Sequence, residues 1–535
     1  MRSLMVVSVA AFAVSAMHAQ RNPHAAIFAT SDQCMACHNG LRTPSGEDVS
    51  IGAAWRASMM ANSSRDPYWQ AGVRREVLDH PAAGDAIQDE CAICHMPMSR
   101  TEAHLGGGEG AVFEHLPVTS EGDRADRLAH DGVACSMCHQ ITDRNLGTPA
   151  SFTGGYVVSG FDATTDRPMF GPFKIERGLT TIMRSATGFQ PTEGAHVRQS
   201  ELCATCHTLV TKALGPNGDV IGELPEQMPF QEWQHSAYAG EQRSCQSCHM
   251  PVVDQDTPIA SVLGSPRKGF ARHTFVGANF FMQRMLDRYR GELGVAATAA
   301  EMAASIAATV ANLRNSTAEL SIDRAERSGS RLLADVSVRN LTGHKLPTGY
   351  PSRRAWLHVT VRSRGGRIVF ESGAFEASGA IAGNDNDADA LGVEPHYTEI
   401  RTADQVQIYE SVMGDSNGRP TTGLLTAVRY LKDNRLVPRG FDKATADPPV
   451  AVVGAASGDA DFQGGGDRVR YAIDVDQADG PFQIDAELRF QVVGFRWADN
   501  LRAYKAEETN RFVGYYESMA SSSSEVLVAR RQIVN

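Results

Sequence analysis

Gly132-Val133-Ala134-Cys135-Ser136-Met137-Cys138-His139 holds two cysteines three apart with a histidine directly after the second. The same C-x-x-C-H spacing occurs at Cys34/Cys37/His38, Cys91/Cys94/His95, Cys203/Cys206/His207 and Cys245/Cys248/His249. These five motifs use all ten cysteines of the 535-residue chain. Cysteines three apart lie about one helical turn from each other, so both sulfurs reach the two vinyl groups of one porphyrin. The next residue then falls under the iron, which makes C-x-x-C-H the attachment signature of a c-type haem. Structural zinc and exported disulfides also use C-x-x-C pairs. Neither explains a histidine in the same place five times when the chain has only 17. Five covalently attached haem c groups are therefore expected, with Cys34, Cys37, Cys91, Cys94, Cys135, Cys138, Cys203, Cys206, Cys245 and Cys248 as anchors. His38, His95, His139, His207 and His249 become the proximal iron ligands.

Working outward, Arg2 and the apolar stretch Leu4–Val14, followed by small residues to Ala19, have the form of a secretory signal over residues 1–19. The chain is expected to be exported, to the periplasm or outer surface, with no membrane span. Lys and Arg number 51 against 62 Asp and Glu, a net charge of −11 without basic clusters. That balance argues against nucleic acid or an anionic membrane as partner and leaves redox proteins. The oligomeric state is not legible.

The motifs crowd between residues 34 and 249, too little chain for five private pockets, so the haems are expected close together in a helical, loop-rich domain over 20–290. Trp55-x-x-Ser58 is echoed by Trp233-x-x-Ser236, each upstream of a C-x-x-C-H-M-P segment (91–97 and 245–251). A linker helix over 291–315 follows, capped by Thr298 and Glu301. Cysteine then disappears and apolar residues alternate, as in Val469, Tyr471, Ile473 and in Phe482, Ile484, Ala486, Leu488, Phe490. Gly365-Gly366 marks a hairpin turn. The fold class is therefore α+β: the haem domain, then an antiparallel β-sandwich over 316–535 whose residues 505–531 form a C-terminal helix.

Five irons need sixth ligands. His273 precedes an apolar helical stretch, His196 lies just before Cys203, His115 is flanked by apolar residues, and His344 sits in Gly343-His344-Lys345-Leu346-Pro347-Thr348-Gly349, a loop fixed by its glycines and proline. These four lead, ahead of His104, His130 and His235, with His24 and His80 lower and His358 expected to be solvated. Met60, or its neighbour Met59, is the candidate sulfur ligand. Arg353 and Arg354 are candidates to pair with haem propionates. Asp385-Asn386-Asp387-Ala388-Asp389 offers oxygens at alternate positions, as calcium loops do. Ala390 and His396 stand where such a loop has glycine and glutamate, so a solvated acidic loop is the competing reading.

The paired Trp-x-x-Ser and C-x-x-C-H-M-P segments, Gly132-Val133-Ala134-Cys135 and the Gly343–Gly349 loop resemble exported multihaem cytochromes of the c-554-like group. The resemblance implies a periplasmic electron carrier with mostly bis-histidine haems in stacked and T-shaped pairs. The wider group includes reductases of nitrogen and sulfur compounds. This chain departs from the small carriers by its fifth motif and large β domain. Electron transfer among periplasmic or surface partners is the expected function. The alternatives are an oxidoreductase of a small nitrogen or sulfur species with one open haem, at the first or second motif, and a conducting filament.

Overall fold

The computed structural model describes residues 27–119, 121–159 and 167–535. The expected signal segment and His24 lie outside the described residues. The first half is built from short helices joined by long connections. Four motifs lie within or just at the end of helices Ser31–His38, Gly84–His95, Cys135–Cys138 and Cys245–His249, and the fourth in chain order starts in Ser200–Ala204. Helix Pro67–Asp79 begins with proline, whose missing N–H costs nothing there, and the Asp66 carboxylate accepts the Tyr68 and Trp69 N–H groups. Trp55-x-x-Ser58 and Trp233-x-x-Ser236 fold alike: each ends a short helix, with the serine N–H donating to the tryptophan carbonyl at 2.8 and 2.9 Å.

Helix Ala299–Ser316 carries the expected capping box, in which Thr298 and Glu301 satisfy each other's backbone N–H groups. Glu301 also grips Arg56 from the motif half. Beyond it the alternating segments form two sheets. One orders Pro420–Thr421, Ile408–Gly414, Arg354–Arg362, Phe482–Gln491 and Ser524–Val534, with Ile368–Ser372 and Arg429–Asp433 pairing beside this path. The other orders Glu399–Ile400, Gly466–Asp474, Arg331–Asn340 and Ala318–Ser328. All pairings are antiparallel except that of Glu399–Ile400 with Gly466–Asp474. Phe482, Ile484, Ala486, Leu488 and Phe490 point inward, as their period of two requires.

The chain end departs from expectation. Residues 505–531 do not form one helix: helix Glu507–Met519 stops, and Ser524–Val534 returns as a strand on Phe482–Gln491. Four successive serines (521–524) hold the backbone weakly in a helix, and Val526, Val528, Ile533 and Val534 favour the extended form.

One apolar cluster joins the two halves. Phe280, Phe281, Met282 and Met285 of helix Phe280–Arg288 join Leu357, Val359, Leu488 and Phe490 of the sandwich. Phe280 meets Phe490 at 6.3 Å and Phe281 meets Tyr516 at 5.8 Å. Each phenylalanine so buried contributes about 2–3 kcal/mol of transfer free energy.

Three surface expectations fail inside the sandwich. Asp387 turns both carboxylate oxygens to Arg354 at 2.8 Å, both residues buried, so 385–389 is not a free oxygen cage for calcium and Arg354 is not available to a propionate. His358 is half-buried between Glu371 and Glu487 instead of solvated. His396 gathers with Asp459 and Asp467, ligand atoms within 4.8 Å of one another. Its Nδ1 accepts N–H groups from Gln407 and Asn434, whose amide oxygens are pinned by backbone N–H groups. The proton therefore sits on Nε2 and is donated to Asp459, which makes this cluster structural. Among the described residues no helix is long and apolar enough to cross a membrane.

Candidate haem-binding sites

The motifs converge at their sulfurs. Cys34 lies beside Cys135, Cys94 beside Cys206, and Cys203 beside Cys245, each pair near enough to shift the other's thiol. Cys138 lies close enough to Cys206 to feel its charge, and burial pushes the Cys138 thiol up to about 12. Helix Ser31–His38 packs on Cys135–Cys138, and Cys245–His249 on Ser200–Ala204. All ten thiols are free of disulfides, the state that thioether attachment requires.

Four of the five motif histidines are oriented by backbone. His38 donates Nδ1–H to the Ile259 carbonyl at 2.6 Å, His95 to Ser63 at 3.0 Å, His139 to Phe170 at 2.5 Å, and His249 to Val276. A carbonyl oxygen only accepts, so each Nδ1 holds the proton and each Nε2 keeps a bare lone pair. This is the outer-shell arrangement that fixes a metal-binding imidazole. Burial pulls the His95 and His207 rings down to about 4, keeping them in the neutral form that binds metal.

Two further imidazoles are set the same way. His273 donates Nδ1–H to Ala271 at 3.1 Å and His344 to Lys345 at 2.8 Å. His273 faces His139, with ring centroids 6.2 Å apart and planes 22° from parallel. His344 faces His249 at 6.2 Å and 16°. An iron held by one nitrogen of each ring would set the centroids about 6 Å apart, the separation found in both pairs. Burial, and after it the neighbouring His139, draws His273 down to about 3.

The remaining candidates are placed differently. His115 spends Nδ1 on Asp126 at 2.8 Å and Nε2 on Ser99 at 3.1 Å, and it meets none of the motif rings. Phe113, Leu116 and Pro117 beside it are apolar, but Asp126 reaches it from a separate helix. His130 uses both nitrogens on the carbonyls of Thr119 and His115, His104 is held by Asp89, and His235 by Gln231. His196 is buried with Nε2 on the Ile141 carbonyl, leaving Nδ1 as its only candidate ligand atom. The Met60 carbonyl accepts the Val133 N–H just ahead of the third motif. Arg353 donates to the Thr348 carbonyl at 2.7 Å, and its charge reaches both His207 and His344. Among the described residues it forms no ion pair within 4 Å; burial lowers it to about 10, with Asp66 acting on it in the opposite sense. His80, ranked low in the sequence because Pro81 makes it look like a turn, is buried with Nε2 unpartnered. Only its burial marks it out.

No family model matches the chain, and no curated protein matches it. Among solved structures it matches the crystal structure of a penta-heme cytochrome c552 from Thermochromatium tepidum, with a TM-score of 0.50 at 15% identity, over 94% of this chain and 98% of that one. The chain has a multihaem cytochrome fold. At 94% coverage the match extends over the sheets as well as the motif half.

Proposed function

We propose that the chain is an exported electron-transfer protein holding five haem c groups, one per C-x-x-C-H motif. The observation that carries this reading is the pair of 6.2 Å imidazole facings, His139 with His273 and His249 with His344, each ring presenting a bare Nε2. Haem c bound at these motifs would supply one-electron iron chemistry; the protein supplies spacing, ligands and a dry surround. The sulfur contacts make the first and third motifs neighbours, and the third and fourth. They likewise join the fourth to the second and to the fifth. The chain thus lays out a branched relay with the fourth motif at its junction. Arg353, between His207 and His344, serves the propionates there, and His196, His80 and Met60 are the ligands proposed for irons without a facing imidazole. Residues 1–19 act as the export signal, 20–290 as the haem domain, 291–315 as a linker and 316–535 as the sandwich, with redox proteins as partners.

Two measurements test the reading. Haem stain and intact mass should give five attached groups, and low-temperature electron paramagnetic resonance should show low-spin signals for at least the third and fifth motifs. A mass with fewer groups, or a high-spin third or fifth site, would overturn it. A second reading rests on His95: Trp69 lies flat on its ring at 4.3 Å and 4°, and among the described residues no imidazole is in ring contact with it. An open position at the second motif would make the protein an oxidoreductase of a small nitrogen or sulfur compound. A spectral change of one haem on adding nitrite, hydroxylamine or sulfite supports that reading, and silence to all three rejects it.

A further inference from the structure

Lys345, directly after His344, has no solvent exposure at all. A buried ammonium needs compensating charge. Its Nζ donates to Asp433 at 2.7 Å and to the Ala451 carbonyl at 3.3 Å. Asp433 is held from the other side by Arg435, through Nε at 2.8 Å and a second nitrogen at 2.7 Å. Arg435 also forms an ion pair with Glu232 at 3.0 Å. Glu232, equally buried, closes the ring by accepting the Lys345 backbone N–H at 3.0 Å and the Thr348 hydroxyl. Two cations and two anions balance, so the cluster is neutral as a whole.

The cluster spans two parts of the fold. Glu232 lies in helix Pro229–Gln234, between the fourth and fifth motifs, whereas Asp433 ends a sandwich strand and Arg435 follows it. Lys345 and Thr348 flank the histidine on its loop. Asn340 and Thr342 both donate to the His344 carbonyl at 2.8 Å, and Leu346 exchanges two backbone hydrogen bonds with Leu436 at 2.9 and 3.0 Å. The backbone on either side of His344 therefore has little freedom, and the longest reach of that control is ionic.

We propose that Glu232, Lys345, Asp433 and Arg435 are positioning residues that hold the His344 imidazole at its station opposite His249, so that ligation at the fifth motif depends on the sandwich. The proposal rests on His344 being an axial ligand. A network that merely stabilised the fold would leave the fifth site's electronic signature alone, because the loop's own hydrogen bonds would keep the ring in place.

The haem-loaded full chain provides the test. His344→Ala supplies the reference by converting one low-spin signal to high spin; if it changes no signal, the axial-ligand reading itself is wrong. The double variant Lys345→Met with Asp433→Asn leaves Arg435 and Glu232 as a neutral pair, so no charge is stranded. It should weaken or convert the signal that His344→Ala removes, shift that haem's midpoint potential, and leave the other haems unchanged. Thr348→Val, which deletes one hydrogen bond to Glu232 and no charge, should shift the g values of the same signal by less. Glu232→Gln, which keeps an oxygen for Lys345 and Thr348, should retain low spin. If the double variant melts cooperatively and that signal stays as in the parent, the proposal is overturned. If the double variant does not fold, Thr348→Val decides: a shift confined to that signal supports the proposal, and an unchanged signal rejects it.

Discussion

His249 and His344 stand ring to ring at 6.2 Å, one closing the fifth motif and the other on a sandwich loop, each with its Nδ1 spent on a carbonyl. His139 and His273 repeat the arrangement at the third motif. The pairing is specific enough to test by loss of each half. His273→Ala should convert to high spin the same signal that disappears from a variant with Cys135 and Cys138 replaced by alanine. Electron paramagnetic resonance reads both. If the two changes fall on different haems, the His139–His273 pairing is wrong.

Gly132 precedes the third motif with φ +61°, and a Cβ there would come within 2.8 Å of the Met60 and Ala61 carbonyl oxygens. Both obstacles are backbone, and the left-handed conformation is unfavourable for alanine as well. Gly132→Ala should cost about 1–3 kcal/mol and separate residues 60–61 from the third motif. Thermal unfolding of the haem-loaded protein checks it; an unchanged midpoint would refute the account.

Glu226 is buried, holds hydrogen bonds from Thr211 and Gln227, and is raised by burial from 4.5 to about 7. Between those pH values the unfolded chain has released this proton and the folded chain retains it. Stability therefore falls as pH rises across the window, by up to about 3 kcal/mol, and levels off above it. Glu226→Gln should remove that contribution, so the variant gains on the parent from pH 4.5 to 7. Denaturant titrations across the range measure the difference, and parallel curves would sink the prediction.

Asp387 neutralises Arg354 inside the sandwich through two 2.8 Å hydrogen bonds. Asp387→Ala strands a buried guanidinium and should cost about 3–5 kcal/mol. Adding calcium or a chelator should leave the parent's melting temperature where it was. A calcium-dependent rise would restore the cation-loop reading of 385–389.

The sequence marks the candidate attachment motifs because a porphyrin's two vinyl groups demand a fixed cysteine spacing whatever surrounds them. The sandwich strands were legible from local alternation, and the Thr298–Glu301 cap from a rule three residues long. Ligand pairing was not, because it is decided across long separations: His273 follows the last motif yet faces His139 of the third. Separation in sequence likewise hid the claim of Asp387 on Arg354. His80 ranks low for a different reason: nothing in Asp79-His80-Pro81 announces that Nε2 ends up enclosed and alone. The chain end was misread because a helix that stops at Met519 and a strand that begins at Ser524 are separated by too few residues for a clear break.

The sulfur contacts also bear on assembly order. Six of the ten cysteines meet a cysteine from another motif, Cys34 with Cys135, Cys94 with Cys206 and Cys203 with Cys245. Thiols so near close readily to disulfides under oxidising conditions. A chain that reached this shape before its thioethers formed would lock motifs to each other and lose the anchors of all five. On the proposed reading, haem attachment that runs ahead of collapse would keep these neighbouring thiols from closing on one another.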